Sequence, residues 1–555
     1  MRAGVLTIVA MSLSASVFGF QQDAACAGSR DLRLTNGRIV TMSSPNGDAR
    51  NTIVSEVTIQ DGRFAAVGPP PRDLKLSPCT RTINLGGRTV VPGLIDNHNH
   101  IVLLGLRPGH DVRLEIASSI AQVQAAIKAR AAKVPAGEFI SGMGGWNPAQ
   151  FAEKRLPTLA ELDAADSTHP VILYQGFTGP AETNSAGRAF FTSKGVAVGD
   201  TGAIAPNAPS LAALNALRAA QTFDDQKRGT AEAMAYAASV GVTTSVDMGA
   251  FVIPGTPDIQ SSFTFDGLAS ANPFTMYDAY LGLHREGKMT SRLRVFFLSM
   301  DTRPDVPLLS ERVRNAFLDF GDDMLRLSGI GEFATQWPLF GQVTPPANYA
   351  AALKLVAKRG WPFQQHSLTL AEDKLTASTF EEVNRETPVA SLRWSVAHVP
   401  HIDQETVNRF KALGAGIAVH PFEYLAGGPN AGPPLRMILD SGIHVGAGSD
   451  AAQISTLDPW PMIYYMVTGK NSSGVLINDT QQLTRMEALR LYTAENGWFF
   501  HEEASLGTIE VGKLGDLVAL SGDYFDAAKV PDEAIKFLKS ALTVVDGRVM
   551  YDQLR

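Results

Sequence analysis

Both ends of the chain carry short stretches in which apolar and polar positions alternate, cut by turn dipeptides. Across residues 31–85, runs such as VTIQDGRFAAV are punctuated by Asn36-Gly37 and Asp61-Gly62, the pairs that tight hairpins favour. The C-terminal stretches GDLVALSGDYF and ALTVVDGRVMYD have the same texture, with Asp546-Gly547 as a turn. Between them, short apolar runs (VILYQ, VTTSV, RVFFLSM, LRLSGIGEF, WSVAHV, AGIAVH, IHVGAGSD) alternate with segments rich in Ala, Leu, Lys and Glu. Alternating strand and helix signals predict a parallel sheet covered by helices. Nine strand candidates compete for the eight places of a closed barrel, so the one at 170–175 is assigned to an insertion. The expected fold is α/β: a distorted (β/α)8 TIM barrel over 92–504, with a small β-sandwich built from both termini, 28–91 and 505–555. Pro/Gly-rich stretches at 253–257 and 427–434 are expected to be loops at the rim of the barrel.

The first twenty residues differ from everything after them. Arg2 is followed by a run over 3–20 without a charge, then by Gln21-Gln22-Asp23, which reads as an export signal covering 1–27. Small residues permit a cut after Ala27 or an earlier one near Gly19, and an uncleaved anchor is the alternative. The expected location is therefore outside the cytoplasm, periplasmic or secreted, with no stable membrane insertion once the signal is removed. Cys26 and Cys79 are the only cysteines, too few for a disulfide framework in 555 residues. They can form one bridge if cleavage falls before Cys26. With 48 basic and 55 acidic residues, and no long Lys/Arg run, the chain lacks the surface that nucleic acid requires. A small molecule is the expected partner.

The strongest chemical signal is TVVPGLIDNHNH, in which a β-branched run leads to His98 and His100. Residues two apart on a strand face the same way, so both imidazoles can point into a barrel mouth and share one cation, with Asp96 nearby.

The chain resembles the amidohydrolase superfamily, in particular the branch with YtcJ-like hydrolases and N-substituted formamide deformylases. The resemblance rests on VVPGLIDNHNH, GWNPAQF, LPTLAELDAADSTHPVIL, VAHVPHIDQETVNRFKALG, GAGSDA and LTRMEALRLYTAENGWFF followed by LGTIEVGKLGDLVAL. It implies a metal-centred barrel that hydrolyses a C–N bond. By position it makes His98 and His100 the first-strand ligands, His366 in PFQQHS the fifth-strand ligand, His398 in SVAHV the sixth-strand ligand, and Asp450 the last-strand aspartate. Binuclear relatives carry a bridging group on the fourth strand; LRLSGIGEFATQW has no lysine there, and Glu332 is its one suitable ionisable group. Gly179 stands where relatives often carry a histidine, so their substrate recognition does not transfer. His169, His401 and His444 have no distinguishing spacing, whereas Trp146 and His420 are expected to touch substrate, with Phe422 and Tyr424 as apolar pocket walls.

The implied cofactor is one or two divalent ions, zinc by the donor set, activating a water for attack on a non-peptide amide, with Asp450 as proton shuttle. An ester or lactone hydrolase using the same site, and a non-catalytic exported barrel that only binds a ligand, are the alternatives.

Overall fold

The computed structural model describes residues 26–44, 53–252, 267–338, 345–428, 431–451 and 453–554. Residues 1–25 of the segment read as an export signal and the loop at 253–257 lie outside the described residues, as does part of the 427–434 stretch.

Eight parallel strands follow one another in sequence order around a single sheet: β1 (Leu94–Asn99), β2 (Val242–Asp247), β3 (Arg292–Phe297), β4 (Leu325–Glu332), β5 (Phe363–Ser367), β6 (Ser395–His398), β7 (Gly416–Val419) and β8 (His444–Ala447). Their residues are almost entirely buried, which is why the runs read as continuously apolar rather than alternating. Helices begin where the sequence supplies caps. Phe223–Val240, ahead of β2, starts on a reciprocal Thr222/Asp225 capping box and stops at Gly241, whose φ of 93° suits a left-handed C-cap. Thr369 and Glu372 cap Leu370–Glu386 in the same way.

β8 and β1 meet at a seam closed largely by side chains and loop backbone. Asp450 N–H donates to His98 O at 2.9 Å, and Ser449 N–H and Oγ–H donate to Asp96. The Asn496 amide bridges both strands, donating to Ala447 O at 2.8 Å and accepting from Ala447 N at 3.1 Å while also donating to Ile95 O. A Cβ at Gly448 would stand 2.7 Å from His98 N, so the glycine of GAGSDA is required for this close approach.

The lower end of the barrel is plugged. Phe499, Phe500, Leu506 and Leu514 pack against Ile95, Val246, Phe296 and Ala418 from the strands. Arg292 and Arg294 of β3, both fully buried, make two-pronged bonds to Asp516 and Glu502. The barrel is therefore open to chemistry only at the C-terminal ends of its strands.

The two termini share a β-sandwich. Thr89–Pro92 pairs antiparallel with Leu517–Leu520, placing an N-terminal strand inside a six-stranded sheet with C-terminal partners. A four-stranded sheet that includes Leu32–Thr35 and Val57–Gln60 packs across it. A disulfide joins Cys26 to Cys79 at the edge of this unit. Val171–Tyr174 lies outside the barrel, in a separate five-stranded sheet inserted between β1 and β2. That insertion is larger than the single strand read from the sequence, because partners such as His110–Asp111 and Ala203–Ile204 are only two residues long.

Candidate metal centre

Six ionisable side chains from five different strand ends converge at the open mouth. His98 ends the apolar part of β1 and His100 follows it, N-capping the short helix Ile101–Gly105; their ring centroids are 5.6 Å apart. Glu332 is the last residue of β4. His366 lies on β5, His398 ends β6, and Asp450 follows β8.

Glu332 is central. Its Oε2 lies 2.7 Å from His366 Nδ1, 3.3 Å from His398 Nε2 and 3.7 Å from His98 Nε2, while Oε1 is 3.5 Å from His100 Nε2. Asp450 closes the other side: Oδ1 is 3.6 Å from His98 Nε2 and 3.4 Å from His100 Nε2, and Oδ2 is 3.7 Å from His398 Nδ1. His398 and Asp450 hold φ values of 71° and 54°, a left-handed backbone that non-glycine residues adopt at a cost, so the fold constrains both.

Neighbouring groups orient the rings. His98 Nδ1–H donates to Gln364 Oε1, and His100 Nδ1–H donates to Gly249 O at 2.8 Å. Each ring thus turns its Nε2 towards the carboxylates. Gly249 is held in turn by Asp247, which accepts from Gly249 N, Val102 N and the Tyr277 hydroxyl at 2.6 Å. Nothing in the local sequence marks Gln364, Asp247 or Tyr277, since the bonds Gln364–His98, Asp247–Val102 and Asp247–Tyr277 join groups far apart in the chain.

The electrostatics favour a cation. Burial pushes the Glu332 carboxyl up, but the imidazoles, His366 first, outweigh it and hold it well below the usual range. The same competition, with His398 foremost, holds Asp450 low. Burial lowers His398 to about 4. Two buried carboxylates kept ionised need positive charge beside them. His98 Nε2, buried without a hydrogen-bond partner, is an orphaned lone pair facing the same point. Nitrogen and oxygen donors in this number fit a divalent metal.

Two expectations about substrate contacts turn out differently from each other. Trp146 lines a cavity beside the centre, stacked on Phe151 and donating from Nε1 to Gly142 O. His420 does not face substrate space: it is fully buried, with its ring 4.3 Å from His98 and 4.7 Å from His398. It can share a cation with these two imidazoles, but it stands behind them. Phe422 lines the same cavity as Trp146, whereas Tyr424 is buried in the main core. A cavity of about 260 Å³ opens over His100, Glu332, His366 and Asp450. Phe177, Phe251 and Leu103 are among its apolar walls.

The Amidohydrolase family matches residues 81–551 of this chain. The chain belongs to the amidohydrolase family. The amidohydrolase is 24% identical to the N-substituted formamide deformylase of Arthrobacter pascens, over 94% of its own length and 99% of the relative's. It is 25% identical to the protein LONG AFTER FAR-RED 3 of Arabidopsis thaliana, covering 89% and 88%. Among solved structures it resembles an uncharacterized metal-dependent hydrolase from Pyrococcus furiosus, with a TM-score of 0.56 at 19% identity, over 89% of this chain and all of that one. It also resembles the atrazine chlorohydrolase of Arthrobacter aurescens complexed with zinc, with a TM-score of 0.51 at 15% identity, covering 94% and 96%. The amidohydrolase is a metal-dependent hydrolase whose donor cluster sits at the barrel mouth where the fold gathers reactive groups.

Proposed function

We propose that this amidohydrolase cleaves the C–N bond of a small non-peptide amide with water, at a centre held by His98, His100, Glu332, His366, His398 and Asp450. The observation that carries the reading is the convergence of these six groups beneath one cavity. Zinc suits the mixed imidazole and carboxylate donors, and one of the structural neighbours is a zinc complex. When bound, the metal supplies Lewis-acid polarisation of the scissile carbonyl and makes water more acidic.

The chain's own residues do the rest. Asp450 is ionised and borders the cavity, so its carboxylate accepts the proton that the attacking water gives up as the new C–O bond forms. It returns that proton to the nitrogen as the C–N bond breaks, and the products are a carboxylic acid and an amine. Glu332 lies among the imidazoles and serves to hold metal, bridging two ions if two are present. The apolar walls exclude bulk water and take a hydrophobic substituent. An exported location accompanies this reading, supported by the Cys26–Cys79 bridge, which an oxidising compartment preserves.

The test is a panel of paired amides and esters, run with and without chelator, on wild type and Asp450→Asn. Amide turnover that chelation abolishes is expected, with the variant retaining its metal and losing roughly 10²- to 10⁴-fold in kcat. Full activity in the variant would remove the shuttle. Turnover of the esters alone would replace the amide reading by ester or lactone hydrolysis.

A further inference from the structure

The centre stands beside two cavities, not one, and Gln453 and Ile454 belong to the walls of both. Beyond the donor cluster the first is mostly apolar, with Thr369, Glu372 and Gln453 as its polar members. The second, of about 370 Å³, is lined by polar groups that include Asn147, Gln175, Glu423 and Gln453. Gln453 is only 4% exposed, and neither its Oε1 nor its Nε2 has a hydrogen-bond partner. Glu423 Oε2 is also shut off from solvent and unpartnered. Buried carboxamide and carboxyl atoms rarely stay unpaired, because each has given up its hydration for nothing.

The unpaired atoms limit what can occupy this space. Among the described residues no lysine, arginine or histidine lines it, so an anion would meet Glu423 without a compensating charge. An apolar occupant would leave all three atoms unsatisfied. A cationic nitrogen donor is chemically complementary to a carboxamide oxygen and a carboxylate oxygen.

We propose that the second cavity is a subsite for an amino group carried by the substrate, read by Glu423 and Gln453. The substrate class is then an amide with an apolar arm for the first cavity and an amine-bearing arm for the second. Burial, with the charge of Asp450 adding to it, pushes the Glu423 carboxyl up to about 8 in the empty subsite. A bound ammonium favours the ionised form and opposes that rise.

The proposal deepens the hydrolytic reading and rests on it for the word amide, but its test does not need turnover. Two non-hydrolysable amines of equal length serve as probes: N-(2-phenylethyl)-1,3-diaminopropane and N-(2-phenylethyl)butylamine. Calorimetry on the metal-loaded protein should show the diamine binding roughly tenfold tighter or more, the scale of charge-assisted hydrogen bonds. That preference should fall in Glu423→Gln and in Gln453→Leu, while the metal content and thermal unfolding midpoint of both variants, which report a folded barrel, stay close to those of wild type. Equal affinity for the two probes in wild type, or a preference that both substitutions leave intact, overturns the subsite. A preference without any amide hydrolysis would sink the catalytic reading and leave the subsite standing. Hydrolysis without a preference would do the reverse.

Discussion

Asp247 shows how much of this site depends on a residue that touches no ligand atom. Its carboxylate gathers Gly249 N, Val102 N and the Tyr277 hydroxyl, and so fixes the carbonyl that orients His100. Asp247→Ala should lower metal affinity by roughly 10- to 100-fold, as loss of such a partner does elsewhere, while the ligands themselves remain. Titration of the stripped protein with metal measures it; affinity unchanged from wild type would mean His100 is held by packing alone. At this scale the sequence was legible where geometry is local. His98 and His100 are two apart, and strand alternation alone turns them the same way. Glu332 followed from the resemblance, which implies a bridging group on the fourth strand, where it is the one suitable ionisable group of the run. Gln364 was not, because its bond to His98 depends on the placing of β5 opposite β1, which no single segment encodes. His420 failed for a related reason. Its place at the end of an apolar run is the same as that of a substrate-facing residue, and only the packing of β7 beside β6 turns its ring onto His398.

Among the elements, β3 carries an unusual load. It reads as an apolar run, RLRVFF, yet Arg292 and Arg294 are fully buried and directed at the plug rather than at solvent. Arg294 makes a fork to Glu502 at 2.8 Å, and Arg326 of β4 donates to the same carboxylate at 2.8 Å. Burial favours the neutral form of Arg294, opposed by Glu502, so the two charges depend on each other. Glu502→Gln should destabilise the protein by about 3–5 kcal/mol, since it leaves Arg294 buried without its anion, and Arg294→Met should cost less, since Glu502 keeps Arg326. The double variant Arg294→Met with Glu502→Gln should lose less than the sum of the two, although Arg326 still lacks its charged acceptor. Urea unfolding of the three proteins decides it; additive losses in the double variant would show that the two residues do not act as a pair. The strands of the barrel were readable because buried parallel strands are long apolar runs. The five-stranded insertion was not, since strands of two or three residues are too short to display a period.

For the molecule as a whole, the order of the chain and the closure of its ends belong to one design. The β-sandwich forms only when Thr89–Pro92 finds Leu517–Leu520, more than four hundred residues later, so the barrel must fold between two halves of a sheet. The Cys26–Cys79 bridge shortens one side of that search, closing a segment with a sequence separation of 53. A cross-link of this span stabilises by about 4 kcal/mol in the chain-entropy limit, and by about 2–4 kcal/mol in common experience. If the proposed export signal is present, the bridge also constrains where it is cut. A cut after Ala27 discards Cys26 and leaves Cys79 a free thiol, whereas a cut upstream, on the Gly19 side, keeps the pair. The expected mature protein therefore begins before Cys26. Intact mass before and after reduction of the enzyme purified from its native source should differ by two hydrogens, and a non-reducing digest should contain a peptide linking the segments around Cys26 and Cys79. Cys26→Ser should lower the urea midpoint by an amount worth about 2–4 kcal/mol, with the metal content of the centre unchanged, because the bridge lies in the sandwich and the donors lie at the barrel mouth. A mature N-terminus found after residue 27, or a Cys26→Ser protein as stable as wild type, would show that the enzyme in its own compartment works without this bond.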